Sequence, residues 1–419
     1  MPMEPWPRIG WRNLGRNRRR TVITAAGLAF GYFAIVLMNG LMAGMTAEMI
    51  ENGTGFLMGQ VQVHSAGYLP QRSIYETIGG RDGADVEALI RAVRADPAIE
   101  AAAPRVYAGG LVSSGESTTA AMLVGVDPEL EAGVSRIFRG VVRGRPPERG
   151  TREILIGAEM ARQLAVDVAD EVVLVAPAAD GSLGNDLFVV SGIFRSGIAE
   201  LDAQFAMLPI GQLQALAALA PDRVHEIAAA TVDPWLAPDA AQRLAEPVST
   251  VSTQAVVQPW TELRPEMMDY AQLAKSWGFV VIFIVFAIAI FGVANTMLLG
   301  TFERRREFAV IMAIGAAPGA VMRTVLYEGL ALGAISLVFG VLITLPVLLW
   351  WHNAPPDLGW LYGDFTMFGA LIRPVLRVEY DAATALWAGL ALVLTALLAA
   401  LVPAARAARL LPADTLSGD

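Results

Sequence analysis

The sequence predicts a membrane protein: four transmembrane α-helices, with a large α+β domain between spans one and two. Three observations predict it. Hydrophobic residues fill 55% of the 419 positions and charged residues only 17%, with a positive mean hydropathy, which is too apolar for a typical soluble chain of this size. Four runs carry no charge: Thr21 to Ala47, Ser276 to Phe302, Gly329 to Pro356 and Ala382 to Ala405. Each exceeds the ~20 apolar residues that cross a ~30 Å hydrocarbon core as a helix. Between the first two, strand-like and helix-like hydrophobic periods follow one another.

Taken in order, residues 1–20 are a basic N-terminal segment ending in Arg16, Arg18, Arg19 and Arg20, followed by a first span at 21–43. The basic start resembles a secretory signal, but the apolar run is longer than the ~7–15 residues of a signal core, so an uncleaved span is expected. The α+β domain occupies 44–272. In GQVQVHSAGYL, Val61 and Val63 alternate with polar residues as in a half-buried strand. DVEALIRAVRADPAI places Val86, Leu89, Ile90 and Val93 on one helical face, with Pro97 closing the helix. RVYAGGLVSS and TTAAMLVGVDP read as paired strands. REILIGAEMARQLAVDVADEVVLVAP reads as strand, short helix with Met160 and Leu164 on one face, turn and strand, and DLFVVSGIFRSG as a further strand. Elements in this order indicate two lobes. RIFRGVVRGRPPERGTR, residues 136–152, is the boundary between them, either a solvated linker or a basic patch for an acidic partner or phospholipid headgroups.

MMDYAQLAKSWGFVV either continues as one helix into the second span or breaks at Trp277 and Gly278 as an interfacial anchor. The second span is 273–300, the connection 301–324, the third span 325–349, the loop on the far side 350–382, the fourth span 383–403 and the tail 404–419. The segments 1–20, 301–324 and 402–419 hold 12 of the 31 basic residues. By the positive-inside rule they are cytoplasmic, which puts both termini inside and the large domain outside.

Several chemistries are excluded or disfavoured. Without cysteine there is no disulfide, thiolate metal site or nucleophilic cysteine, and His64, His225 and His352 show no metal-ligand spacing. The single lysine, Lys275, follows no glycine-rich loop, so the chain has no P-loop, and no GxSxG elbow occurs. No cofactor is expected on this chain. The span centres are free of charge, which argues against an ion pathway. Glu328 lies near the entry of the third span, within reach of water or Arg323, and Asn295 could hydrogen-bond between helices. Asn295, Glu328, Phe33, Phe283 and Phe286 are therefore candidates for helix packing or a substrate path. Ala25, Ala29 and Phe33, and Gly329, Gly333 and Leu337, form stripes expected to associate with helices of a second copy or a related subunit.

The stretch NTMLLGTFERRREFAVIMAIGAAPGAVMRTVLYEGLALGAISLVFGVLI resembles the permease core of the FtsX/MacB/LolC-LolE superfamily. The resemblance rests on Asn295, Glu303, Arg304, Arg306, Glu307, Ala313, Gly315, Ala316 and Glu328. The ending LVPAARAARLLPADTLSGD is similar to the family ending through Pro403, Ala404, Arg406, Ala407, Ala408, Pro412 and Leu416, and its LSGD resembles the LolC ending. ILIGAEMARQLAV and VVSGIFRSG look like the MacB-type periplasmic core. The chain departs from the family pattern at Ala309 and Met312, where Gly and Arg are frequent, and at Ala169 with Asp170, where Gly-Asp is frequent.

The resemblance implies an ABC transporter permease in the bacterial inner membrane, working by mechanotransmission. ATP and Mg would bind a separate cytoplasmic ABC ATPase dimer. Other implied partners are a second permease copy or paralogue, membrane lipids, a lipoprotein or other amphipathic substrate and a periplasmic carrier, with no nucleic acid. LolC/LolE-type lipoprotein release is the nearest match. Alternatives are export of an amphipathic compound or peptide, and FtsX-like regulation of periplasmic hydrolases without transport.

In TFERRREFAVIMAIGA, five charges from Glu303 to Glu307 precede nine apolar or glycine residues. As a helix, it places Arg304, Arg305 and Arg306 near headgroups or ATPase carboxylates, and Phe308, Ile311 and Met312 on one face. That face could rest in lipid. The resemblance implies instead a coupling helix seated on the ATPase, using Glu303, Arg304, Arg305, Arg306, Glu307, Phe308, Ile311, Met312, Ala313 and Gly315.

Overall fold

The computed structural model describes residues 15, 18–69, 71–80, 84–115, 117–357, 365–367, 370–372, 375, 377–412 and 415. Arg16, Leu416 and the closing LSGD lie outside the described residues. The chain forms two compact units. One is helical (Met1–Thr46, Ala271–Leu358, Val375–Asp419) and one is α+β (Ala47–Tyr270, Gly359–Pro374).

The helices of six or more residues, in chain order, are α1 (Arg18–Gly55), α2 (Val86–Arg94), α3 (Pro128–Val134), α4 (Ala158–Leu164), α5 (Ala199–Gln204), α6 (Ile210–Leu216), α7 (Ala237–Val251), α8 (Pro265–Glu303), α9 (Arg305–Ala313), α10 (Pro318–Asn353) and α11 (Ala382–Ala408). Among the described residues α1, α8, α10 and α11 are long and apolar enough to cross a membrane. Trp277 and Gly278 lie inside α8, which runs 39 residues without a break, about 58 Å at helical rise. Pro318 opens α10 at a position where its missing N–H costs nothing. Asp381 caps α11 by accepting from the Ala383 and Thr384 amides at 2.9 and 3.2 Å.

The small residues of α10 are used within this chain. A Cβ at Gly329 would sit 2.7 Å from Cβ of Ala400, and one at Gly333 would sit 3.1 Å from Cβ of Ala396. Gly329 and Gly333 thus let α10 and α11 approach closely. Ala25 and Ala29 are likewise buried. The expectation that the Gly329–Gly333 stripe awaits another subunit is corrected, because the fourth span supplies its partner surface.

The α+β unit is built on one ten-stranded sheet that runs through both expected lobes. Its strands are β1 (Val61–Ser65), β2 (Ile99–Ser114), β3 (Ser117–Val126), β4 (Val141–Gly144), β5 (Glu153–Gly157), β6 (Glu171–Pro177), β7 (Leu183–Phe194), β8 (Phe205–Pro209), β9 (Glu226–Thr231) and β10 (Ala255–Pro259). The order is β10-β1-β9-β2-β3-β8-β5-β7-β4, with β6 pairing β2 and β7. β1 is buried throughout rather than on one face. It lies between β9 and β10, and its polar side chains are bonded inside, with Gln62 donating to the Met58 carbonyl at 2.8 Å. In α2, Leu89, Ile90 and Val93 are buried as their spacing requires, and Asp85 caps the start.

Residues 136–152 are not an open basic patch: 137–144 form a 3₁₀ turn and β4, 145–152 run on without regular structure, and five of the six arginines pair within the unit. Arg136 meets Glu51 and Arg143 meets Asp167. Arg145 meets Glu153 at 2.6 Å, Arg149 meets Asp127 at 3.7 Å and Arg152 meets Asp186 at 3.0 Å. In the core, Arg105 holds Glu131 at 2.6 Å and Glu226 at 3.4 Å, and the Tyr107 hydroxyl donates to Glu226 at 2.7 Å. His225 Nδ1 accepts from the Tyr107 amide at 2.9 Å and Nε2 faces the Ile74 carbonyl at 3.1 Å. That geometry fits a neutral ring protonated on Nε2, and burial pushes the imidazole pKa below its ordinary value.

Candidate functional site: the connection between the second and third spans

The chain turns from α8 into α9 at Arg304, where the backbone leaves helical geometry for one residue (φ −106°, ψ 14°). That single break swings the Arg304 side chain into the helical unit. Its Nη1 donates to Glu328 Oε2 at 2.9 Å and its Nε to Glu307 Oε2 at 3.4 Å, and its guanidinium carbon lies 5.0 Å from the Phe308 ring centre. Arg304 is therefore not a free group for headgroups or ATPase carboxylates. It binds α10 three turns in, and Glu328 finds its cation here rather than only in water or at Arg323. Glu303 is joined to Arg20 of α1 at 3.0 Å.

α9 presents two unlike faces. Phe308 and Ala309 are buried, and Met312 packs on the same helical core. Ile311 is half-buried. The expectation that Phe308, Ile311 and Met312 form an outward docking face is corrected at Phe308, which is 2% exposed and belongs to the apolar core with Val321, Val325 and Ala404. Facing away from the core are Arg305, Arg306, Val310, Ala313 and Ile314, the last 81% exposed. Val310 and Ile314 were not singled out from sequence. The stripe Arg306, Val310, Ile314 has the same spacing of four as Arg304, Phe308, Met312, so periodicity alone could not choose which one turns inward.

The far end of α9 closes on Gly315, at φ 104°. The Ala316 amide bonds the Ile311 carbonyl at 3.1 Å and the Gly315 amide bonds the Met312 carbonyl at 3.0 Å. This is a Schellman closure, which needs a left-handed residue, and glycine adopts one without strain. The A-x-G-A pattern of Ala313 to Ala316 is thus a helix stop. Ala317 and Pro318 then start α10.

The remaining candidates separate. Phe286 is buried in the helical core and Phe33 is half-buried, with its ring 6.0 Å from that of Phe30. Phe283 is 74% exposed, and Asn295 is exposed on the same helix, so neither packs against another helix of this chain as Phe286 does. Among the described residues no group of three or more His, Cys, Asp or Glu could hold a metal ion.

Comparison with known proteins decides the family. The MacB-like periplasmic core domain matches residues 21–246, and the FtsX-like permease C-terminal domain matches residues 279–412. The chain belongs to the MacB/FtsX-like permease family. It is similar to the lipoprotein-releasing system transmembrane protein LolC of Neisseria meningitidis, 24% identical over 366 residues covering 84% of this chain and 82% of that protein. It is also similar to the corresponding LolE protein of Haemophilus influenzae, 22% identical over 431 residues and 98% of each chain. Among solved structures, the periplasmic region of MacB from Actinobacillus actinomycetemcomitans aligns with 52% of this chain and 97% of its own, at 12% identity and a TM-score of 0.36. The extracellular domain of the ABC-type transporter YknZ from Gram-positive bacteria aligns with 48% and 100%, at 12% identity and a TM-score of 0.34. This MacB/FtsX-like permease is an ABC transporter subunit of the inner membrane, and its α+β unit is the periplasmic domain.

Proposed function

We propose that the chain is a permease subunit of a lipoprotein-releasing ABC transporter, driven by ATP and Mg on a separate cytoplasmic ATPase dimer and paired with a second permease. The observation that carries the mechanism is the two-faced α9. One face is held to the helical unit by Phe308 and Arg304, leaving Arg305, Arg306, Val310 and Ile314 free to meet another protein. In this reading both termini and α9 are cytoplasmic, in keeping with the arginines of 1–20 and 301–324. The exposed stripe seats on the ATPase, and closure of the ATPase dimer displaces α9 and with it the helices it is bonded to. The chain itself contributes no hydrolytic group. The named relatives of LolC and LolE type support lipoprotein as the cargo.

The test is depletion of the protein in its own cell, followed by fractionation. Lipoproteins should accumulate in the inner membrane. Normal lipoprotein sorting with a gain in sensitivity to amphipathic compounds would move the reading to export, and normal sorting with a cell-separation defect would move it to hydrolase regulation. Co-purification of an ABC ATPase, lost on Ile314→Arg, checks the docking face separately.

A further inference from the structure

The two places where a long helix joins the periplasmic domain are built differently. α1 ends at Gly55, and the last carbonyls of a helix have no partner within it. At this end they are taken one after another. The Thr54 carbonyl accepts from the Gly59 amide at 2.7 Å, and the Gly55 carbonyl accepts from the Arg136 amide at 2.8 Å. The Phe56 carbonyl accepts from the Ser135 hydroxyl at 2.5 Å, and the Leu57 carbonyl accepts from the Arg105 guanidinium. Arg105 is fully buried and holds Glu131 of α3 and Glu226 of β9 at the same time. The chain leaving α1 is therefore bonded to the sheet and to α3 through one group.

Arg136 adds a hold on the helix itself. Besides its amide bond to Gly55, its guanidinium donates to Asn52 Oδ1 at 3.1 Å and to Glu51 Oε1. A cation placed there also meets the negative end of the helix dipole. Gly55 makes room for it, since a Cβ at that position would lie 3.1 Å from Arg136 Cδ and 3.2 Å from its Nε.

α8 begins without such a grip. Trp260 is fixed to the domain, its amide to the Gln60 carbonyl at 2.8 Å and its indole N–H to the Pro234 carbonyl at 2.7 Å. Between the helical turn Trp260–Leu263 and the start of α8, Arg264 alone leaves helical geometry (φ −138°, ψ 67°). Its exposed guanidinium pairs with Glu266 of α8 at 3.0 Å, not with the sheet. Among the described residues no hydrogen bond or ion pair joins 265–268 to the sheet. Met267 is the one buried side chain of that turn, and apolar contact is non-directional.

We infer that Arg136 is the positioning residue that makes α1, rather than α8, the helix whose movement the periplasmic domain follows, and that Arg264 is the hinge at which α8 changes its angle to the domain. Successive carbonyls held from β2, from Ser135 and from Arg136 leave the exit of α1 no free torsion. A lone non-helical residue at the end of an element is where hinge motion is absorbed. The inference rests on the transporter reading only for what this movement accomplishes.

The test uses the full chain in nanodiscs. The chain contains no cysteine, so spin labels attach only where cysteines are introduced. Ala47→Cys with Ala120→Cys measures α1 against β3, and Asp269→Cys with Ala120→Cys measures α8 against β3, each as a distance distribution from pulsed electron spin resonance. The α1 pair should give the narrower distribution. Arg136→Met should broaden the α1 pair to the width of the α8 pair and leave the α8 pair unchanged. Glu51→Ala with Asn52→Ala should broaden the α1 pair too, since it removes both side-chain acceptors while alanine keeps the helix. Thermal unfolding is compared for every variant, and the Glu51 and Asn52 double variant decides where Arg136→Met is unstable. An α1 distribution no narrower than that of α8 overturns the inference. So does an α1 width that survives the variants, or a broadening of both pairs alike, which is what a merely structural role produces. In cells, Arg136→Met at the parental protein level should retain lipoproteins in the inner membrane as depletion does. Normal sorting with Arg136→Met, where depletion blocks it, overturns the role of Arg136 in coupling. Normal sorting on depletion itself removes the lipoprotein reading, and the distance distributions then decide the joint by themselves.

Discussion

The Arg304–Glu328 bond can be tested by a double-mutant cycle. Both side chains are mostly shielded, 10% and 16% exposed, with 2.9 Å between donor and acceptor. Arg304→Met keeps the apolar stem and removes the guanidinium, leaving Glu328 a shielded charge that has lost its principal donor. A hydrogen bond to a charged group contributes about 1.5–3 kcal/mol. Leaving a fully buried ion unpaired costs about 3–5 kcal/mol, and the residual exposure of Glu328 argues for the lower range. We expect Arg304→Met to destabilise the helical unit by about 2–3 kcal/mol. Glu328→Gln, which keeps an acceptor for the guanidinium, should cost about 1–1.5 kcal/mol. The double variant should lose little more than Arg304→Met alone, a coupling of about 1–2 kcal/mol. Unfolding of the full chain in lipid–detergent micelles reads all three. If the two single losses add to within about 0.5 kcal/mol, Arg304 is not the partner that α10 depends on, and the anchoring of α9 argued above is wrong.

The two faces of α9 should separate in the same assay. Phe308→Ala is expected to cost about 3–5 kcal/mol of stability, while Ile314→Arg should leave stability within about 0.5 kcal/mol and abolish coupling to a reconstituted ATPase. Equal effects on stability would refute the assignment of faces. Gly315→Ala forces a left-handed alanine at φ 104° and should destabilise by about 1–2 kcal/mol, read by unfolding and by faster proteolysis after Arg304 to Arg306. Ala169 is held at φ 77°, so Ala169→Gly is expected to stabilise the periplasmic domain by about 1 kcal/mol, seen as a rise in its unfolding temperature. For His225 the folded pKa lies below the unfolded value near 6.5. Its contribution is complete above that value and is lost as pH falls from about 6.5 toward the folded pKa. His225→Gln should flatten this segment of the stability–pH profile, and an unchanged slope would contradict it.

Much of the architecture was legible because hydrocarbon imposes a coarse rule: four charge-free runs became four long helices. Within the periplasmic domain, local patterns such as Leu89, Ile90 and Val93 also held. What failed were inferences needing a neighbour that sequence does not name. Val61 and Val63 alternate with Gln62 and His64, yet all four are buried, because β9 and β10 flank the strand, the Gln62 amide donates to the Met58 carbonyl and His64 Nε2 meets Gln258 Oε1 of β10. The arginines of 136–152 looked like free charge because Asp127, Asp167 and Asp186 come from elsewhere along the chain. Ala169 shows the opposite case. The sequence already marked it as a departure from Gly-Asp, and its positive φ explains why glycine suits that turn.

The connection at 303–315 is bonded more widely than a loop between two spans requires, and the partners determine what a push on it can do. Glu303 is tied to Arg20 of α1, and Arg304 to Glu328 of α10. Phe308 shares its apolar core with Ala404 and Ala407 of α11. A displacement of α9 therefore reaches all four long helices through side chains within a few residues of the chain break at Arg304. Gly315 fixes the other end with two backbone bonds, so α9 cannot unwind there without losing both. A short helix restrained in this way passes a load to its neighbours instead of absorbing it by fraying. Two of those neighbours, α1 and α8, are the helices by which the chain enters and leaves the periplasmic domain. On the proposed docking, a load applied at Val310 and Ile314 is passed on only if the opposite face holds, and Arg304 with Phe308 is where it holds.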